Sequence, residues 1–146
     1  MKKWIWLDDT RIPIYYLNLW IITTNYDEFV REVEKIGLQN IDLISLDHDL
    51  GDSAMEEFFK NTAINHQINY NNIKEKTGYD AAKWLINYSL DKNIPLPEKI
   101  LTHSANPVGA ANIMGIINNY LRSQGLPQTC VRTKWDYIIR DENKSK

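Results

Sequence analysis

The sequence predicts an α/β domain with a mostly parallel sheet covered by helices on both faces, and three observations carry that prediction. Short apolar runs alternate along the chain with stretches of helical period. The runs are apolar at consecutive positions, as in strands buried on both faces, not alternating as in a half-solvated sheet. Three of the runs end directly in polar clusters, and the carboxyl ends of strands are where open α/β sheets bind ligands.

Trp4 to Leu7 forms the first strand and runs into Asp8 and Asp9. Thr10-Arg11-Ile12-Pro13 turns the chain, and Leu19 to Ile22 forms the second strand. Too few residues separate these strands for a full crossover helix, so that connection is degenerate. Tyr26, Phe29, Val30, Val33 and Ile36 follow helical spacing, with Asn25 as cap, Glu28 in the first turn and Gly37 as the stop. Leu43 to Leu46 forms the third strand and ends in Asp47-His48-Asp49. Residues 52–76 are rich in asparagine (Asn61, Asn65, Asn69, Asn71, Asn72) and poor in regular apolar positions. They read as a surface insertion, either a lid over the site or a loop without a role, with a short helix over Ala54 to Phe59. Thr77-Gly78-Tyr79-Asp80 has the pattern of a capping box, and the stripe Tyr79, Ala82, Leu85, Ile86 and Leu90 follows until Pro95 and Pro97. Ile100 to Thr102 forms the fourth strand, leading to His103-Ser104-Ala105-Asn106. Asn106 and Pro107 then open a helix as cap and first-turn proline, with Ile113, Ile116, Ile117, Tyr120 and Leu121 on its apolar face and Gly125 and Pro127 at its end. Val131, Thr133, Trp135 and Tyr137 alternate with Arg132, Lys134 and Asp136, which suits a last strand. The expected organisation is one domain over residues 1–140 and a charged tail from 141 to 146.

Composition limits the function. A formal net charge of −2 argues against a general polyanion binder, so duplex DNA is not an expected partner and any nucleotide must be held by a local site. Cys130 is the only cysteine, which rules out an internal disulfide and suits a reducing compartment. The apolar run at the start is too short for a signal peptide or a membrane span, and the expected location is the cytoplasm.

The strand ends carry the chemistry. Three converging carboxylates repel each other, and a hard divalent cation with oxygen ligands relieves that repulsion. Asp8, Asp9 and Asp47 are therefore the expected ligands of Mg2+ or Mn2+. Histidine titrates near neutral pH, so His48 and His103 are candidates for acid–base work or for holding a phosphate. Ser104 offers a hydroxyl as hydrogen-bond donor or nucleophile, although it lacks the Gly-x-Ser-x-Gly elbow of hydrolases. Arg11 can pair with a phosphate, and Asp49 and Asn106 complete the candidate binding residues. Asn106 is also the expected helix cap, and the amide groups at that helix start favour an anion. Asp-His-Asp-Leu-Gly-Asp at 47–52 lacks the later glutamate of a calcium loop, and there is no glycine-rich phosphate loop and no paired-cysteine zinc motif.

An acid pair after strand one, an aspartate after strand three and a hydroxyl residue after strand four resemble the response-regulator receiver domain. Trp-Leu-Asp-Asp-x-Arg-x-Pro at 6–13, Ile-Ser-Leu-Asp-His-Asp-Leu-Gly at 44–51, Thr-Gly-Tyr-Asp at 77–80 and His-Ser-Ala-Asn-Pro at 103–107 are similar, more closely, to the cyclic-phosphate-processing receiver domain of bacteria and phages. The resemblance implies a three-layer, flavodoxin-like domain with a five-stranded sheet in order 2-1-3-4-5. It implies that Asp8 and Asp9 bind the metal, that Asp47 stands at the phosphoacceptor position, and that Ser104 stands at the hydroxyl position. Lys134 matches the family lysine weakly, because no proline follows it.

Three functions follow from these residues together with what the resemblance implies. One is metal-dependent hydrolysis of a cyclic phosphate on a nucleotide or RNA end, in a setting such as bacteria–phage conflict. A second is a signalling switch phosphorylated on Asp47. A third is a protein that binds and sequesters a cyclic nucleotide, with aromatic residues such as Tyr79 or Trp84 stacking on the base. Turnover separates the first from the third, and phosphoryl incorporation separates the second from both.

Overall fold

A computed structural model describes residues 2–140, and the tail expected from Asp141 lies outside them. Four strands form one parallel sheet: β1 (Lys3–Leu7), β3 (Trp20–Thr23), β4 (Ile41–Leu46) and β5 (Lys99–Thr102). Their spatial order is β3-β1-β4-β5, which is the order 2-1-3-4 expected for the first four sheet strands. In-register pairs run straight across: Ile5 sits beside Ile21 and Ile44, and Ile44 beside Ile100.

Strand alternation gives the sheet two distinct faces. Ile5, Leu7, Ile44, Leu46 and Ile100 point to one face, where they meet α1 (Tyr26–Ile36), α4 (Gly78–Lys92) and α5 (Pro107–Ser123) through Phe29, Val33, Leu85, Ile113 and Ile117. Trp6, Trp20 and Leu43 point to the other, where Trp4, Ile22, Leu101 and Trp135 join them. All three long helices therefore gather on one face, where helices on both had been expected. The opposite face is covered by interlocked tryptophans, with Trp6–Trp20 and Trp20–Trp135 edge-to-face at 5.3 and 5.5 Å. The first connection carries the strand segment Arg11–Pro13 and supplies no helix to this face.

That connection holds a three-residue strand, β2 (Arg11–Pro13), in place of a helix. It pairs antiparallel with β6 (Tyr137–Ile139) in a separate two-stranded ribbon. The last strand expected over 131–137 is thus split. Its start survives as a single parallel bridge from Arg132 to Thr102, and its end leaves the main sheet to join β2. Of the alternating residues only Arg132 and Tyr137 pair as strand, because alternation does not say which partner a segment will choose.

The helix boundaries follow the caps. Asn25 accepts from the Glu28 amide, Gly37 ends α1 at φ 87°, and Thr77 and Asp80 close a reciprocal capping box on α4. Asn106 accepts from the Gly109 amide at 3.0 Å, with Pro107 in the first turn of α5. Leu90, placed on the α4 stripe by its spacing, is 54% exposed, and Ser89 takes the buried position beside it.

Residues 52–76 fold into short helical pieces: α2 (Asp52–Glu57), a π turn (Phe58–Thr62), α3 (Ala63–Asn65) and a 3-10 turn (Tyr70–Asn72). A polar core takes the place of an apolar one. The buried Glu57 carboxylate accepts from Asn61 Nδ2, the Asn69 amide and Asn72 Nδ2 at 2.7–2.9 Å, and Glu75 receives Ser53 Oγ and the Ala54 amide. Two of the asparagines, Asn61 and Asn72, supply the side-chain donors to the Glu57 carboxylate.

Candidate metal and phosphate site

The carboxyl ends of β1 and β4 lie side by side, so Asp8, Asp9 and Asp47 converge. One carboxylate oxygen from each lies within 4.8 Å of the others. Asp8 is buried and heavily bonded. Its Oδ1 accepts from the Thr10 and Arg11 amides at 2.9 Å, and its Oδ2 accepts from Arg11 Nε at 2.7 Å and faces His103 Nε2 at 3.0 Å. Arg11 also reaches Asp47 Oδ1 at 3.1 Å, so one guanidinium ties two carboxylates together. The His48 amide donates to the same Asp47 oxygen at 2.9 Å. Asp47 Oδ2 has no donor among the described residues.

The electrostatics follow from burial and crowding. Burial pushes the Asp47 carboxyl well above its usual range, and Asp8, Asp49 and Asp9 push it further, against the pull of Arg11. Burial and the Asp8 charge raise Asp9 to about 6. Burial would raise Asp8 too, but the His103 bond and the Arg11 and Thr10 amides bring it below its usual value. The cluster therefore holds more negative charge than Arg11 neutralises. Acceptor-only carboxylate oxygens with that surplus fit a hard divalent cation such as Mg2+ or Mn2+. Asp8 has its lone-pair directions filled by donors, so Asp9 and Asp47 Oδ2 offer the open ligand positions.

His103 lies under this cluster, 6% exposed, with its ring stacked on Trp6 at 3.9 Å. Trp135 Nε1 donates to Ser45 Oγ at 3.1 Å, and Ser45 Oγ meets His103 Nδ1 at 2.7 Å. Burial lowers the His103 pKa, which favours the neutral ring. With one proton on the ring, the network closes in one way: Trp135 donates to Ser45, Ser45 donates to Nδ1, and Nε2–H donates to Asp8. Both ring nitrogens are then committed.

His48 is fully buried beneath α5, where a Cβ on Gly109 would lie 2.4 Å from its Cγ. Its Nδ1 meets Asp49 Oδ1 at 2.6 Å and its Nε2 meets the Tyr70 hydroxyl at 2.9 Å, and that hydroxyl also accepts from Asn112 Nδ2 at 3.0 Å. Asn106 Nδ2 lies 3.4 Å from both Asp49 oxygens. His48, Asp49 and Asn106 thus form a second, interior network that joins the β4 end, the residue 52–76 segment and α5. Ser104 is buried and bonds within its own turn, accepting from the Asn106 amide at 3.1 Å. The ring nitrogens of His48 and His103 are paired elsewhere, so neither forms a Ser–His nucleophile pair with it. Lys134 is exposed and makes no ion pair to Asp47 among the described residues.

The model of the cyclic-phosphate processing receiver domain matches residues 3–119. The chain belongs to this family. No curated protein and no solved structure matches it. Two parts of this receiver domain escaped sequence reasoning. Tyr70 caps His48 from a segment with no apolar period, and nothing in its spacing signals that. Trp135 reaches the acidic cluster through Ser45, and its place in an alternating run disclosed a buried face but no hydrogen bond. Neither Tyr79 nor Trp84 reaches the acidic cluster: Tyr79 stacks on Tyr70 at 5.3 Å, and Trp84 packs on Tyr88 and Phe29.

The interior network predicts a modest effect for Asn106→Ala. It removes the α5 cap and a partner of Asp49, and is expected to cost about 1–2 kcal/mol in urea unfolding without changing metal affinity.

Proposed function

We propose that the chain hydrolyses a cyclic phosphate on a nucleotide or an RNA end with the help of a divalent cation. The convergence of Asp8, Asp9 and Asp47 at two strand ends is the observation that carries this reading. When bound there, the cation would offset the carboxylate repulsion and polarise a phosphate oxygen. The residues have separable duties. Arg11 holds Asp8 and Asp47 at a fixed spacing and presents a positive edge to the phosphate. Asp9 and Asp47 Oδ2 would hold the cation, and the attacking water gives its proton to solvent. The water oxygen bonds to phosphorus, one ring P–O bond breaks, and the departing oxygen takes a proton from solvent. The product is a phosphomonoester with a free hydroxyl.

In this reading His103 positions Asp8, and His48 positions the loop that carries Asp47 and Asp49. Neither is the proton donor, because their nitrogens are already paired. Ser104 and Arg132 line the cleft that Arg11 and His103 also line.

The test is ring opening followed by phosphorus NMR. Native protein with Mg2+ is expected to convert at least one of 2′,3′-cyclic AMP, 3′,5′-cyclic AMP and a cyclic dinucleotide to a phosphomonoester. EDTA and Asp9→Asn should each stop that conversion. Unchanged spectra for the whole panel would overturn the hydrolytic reading.

A further inference from the structure

A cleft of about 630 Å³ opens beside the acidic cluster, and the family resemblance does not account for its outer wall. Arg11, His103 and Ser104 form the inner wall. Arg132, Trp135 and Tyr137 come from the segment after α5, beyond residue 119 where the family match ends. The volume is in the range that holds a small organic ligand.

Two features of the outer wall point to what the cleft takes. The first is charge. Arg132 spends its Nε on the Ser104 carbonyl at 3.0 Å, which aims the guanidinium at the cleft, and its terminal nitrogens have no carboxylate partner among the described residues. Lys134 also lines the cleft, and Asp136 is its single carboxylate among the described residues. An unpaired planar fork beside a second cation is suited to a phosphate. The second is aromatic surface. Tyr137 is 47% exposed and carries the Arg11 guanidinium at 5.2 Å from its ring centre, while Trp135 is half-buried with its polar nitrogen already bonded to Ser45. Ring surface that needs no hydrogen bond of its own suits a flat heterocycle, and base–aromatic stacking tolerates any base.

We propose that this cleft is the recognition site for a nucleoside phosphate: the phosphate lies between Arg132 and Ser104, and the base lies against Tyr137 and Trp135. The inference deepens the proposed function and rests on it for the identity of the reacting phosphate. The chain Trp135–Ser45–His103–Asp8 connects the wall that meets the base to the carboxylate that anchors Arg11. Selectivity for the nucleoside would then reside in residues 132–137, and the cation site in the residues of the family match.

Calorimetric titration in EDTA tests binding apart from metal and turnover. The probes are 2′,3′-cyclic AMP, adenosine and inorganic phosphate, against native protein, Arg132→Gln and Tyr137→Leu, each first shown to melt as the native chain does. Native protein should bind the cyclic nucleotide at least tenfold more tightly than either fragment, and each variant should lose about tenfold. Affinities within twofold of native in both variants, or no binding of the cyclic nucleotide, would overturn the proposal. Kinetics separate the two readings. Ring opening with an unchanged KM in both variants would sink this inference and leave the hydrolytic function standing. Binding that is lost in Arg132→Gln, without turnover in any protein, would do the reverse.

Discussion

Asp47→Asn is expected to abolish ring opening, by at least about a thousandfold, while making the metal-free protein more stable. The two effects share a cause. Asp47 is buried among Asp8, Asp49 and Asp9, and Arg11 compensates only in part. Its folded-state pKa is raised, so the folded protein binds more protons at this position than the unfolded chain does. Stability is therefore lost as pH rises from the ordinary carboxylate range toward the raised folded value, and it stays reduced at neutral pH. Asparagine has the same shape, keeps an acceptor for the His48 amide and carries no charge. Replacing the charge should stabilise the metal-free protein by about 1–3 kcal/mol at pH 7.5, an advantage that fades at pH 4. Urea unfolding at the two pH values, in EDTA, checks the sign. A variant less stable than native at pH 7.5 would mean that the Arg11 pair outweighs the carboxylate crowding.

Gly78→Ala should have the largest effect on folding of any single methyl addition near the site. The Gly78 amide donates to the His48 carbonyl at 2.9 Å, which binds the start of α4 to the loop holding Asp47. A Cβ there would lie 1.8 Å from the Asp47 carbonyl oxygen and 3.1 Å from the His48 Cα. These are backbone atoms, so no side chain can turn aside, and α4 or the Asp47 loop must shift. The expected cost is about 3 kcal/mol, a fall of roughly 10 °C in Tm, together with weaker cation binding because Asp47 moves. Gly115→Ala is the control. It lies in α5 with nothing within 4 Å of an added Cβ, and should gain about 0.5–1 kcal/mol from helix propensity. Equal melting temperatures for Gly78→Ala and native protein would contradict the close approach.

Particular residues show how far the sequence speaks. The acidic convergence was legible because consecutive apolar runs end in Asp8-Asp9 and Asp47, and a parallel sheet brings such ends together. The caps at Asn25, Thr77 and Asn106 were legible because each acts within four residues. Longer-range partners were not. His48 and His103 stand at strand ends like catalytic groups, yet Asp49 and Tyr70 occupy one while Ser45 and Asp8 occupy the other. A residue type and a position report what chemistry is present, not which neighbour has already used it. Residues 52–76 concealed their order for a similar reason: their core is the Glu57 carboxylate and its amide donors, which leave no hydrophobic period. The helix-free sheet face also has no local signal, since a tryptophan layer and a helix both present apolar side chains to a strand.

The cation site is the claim on which the rest depends, and a Mn2+ titration followed by water-proton relaxation tests it most directly. Native metal-free protein is expected to bind one Mn2+ and to release it to excess Mg2+. Asp9 titrates at about 6, so protons should compete and the affinity should fall as pH drops from 7.5 through 6. Asp9→Asn and Asp47→Asn should each abolish the signal, while Asn106→Ala should keep it. Binding of equal strength in all four proteins, or none in the native chain at millimolar Mn2+, would contradict the account.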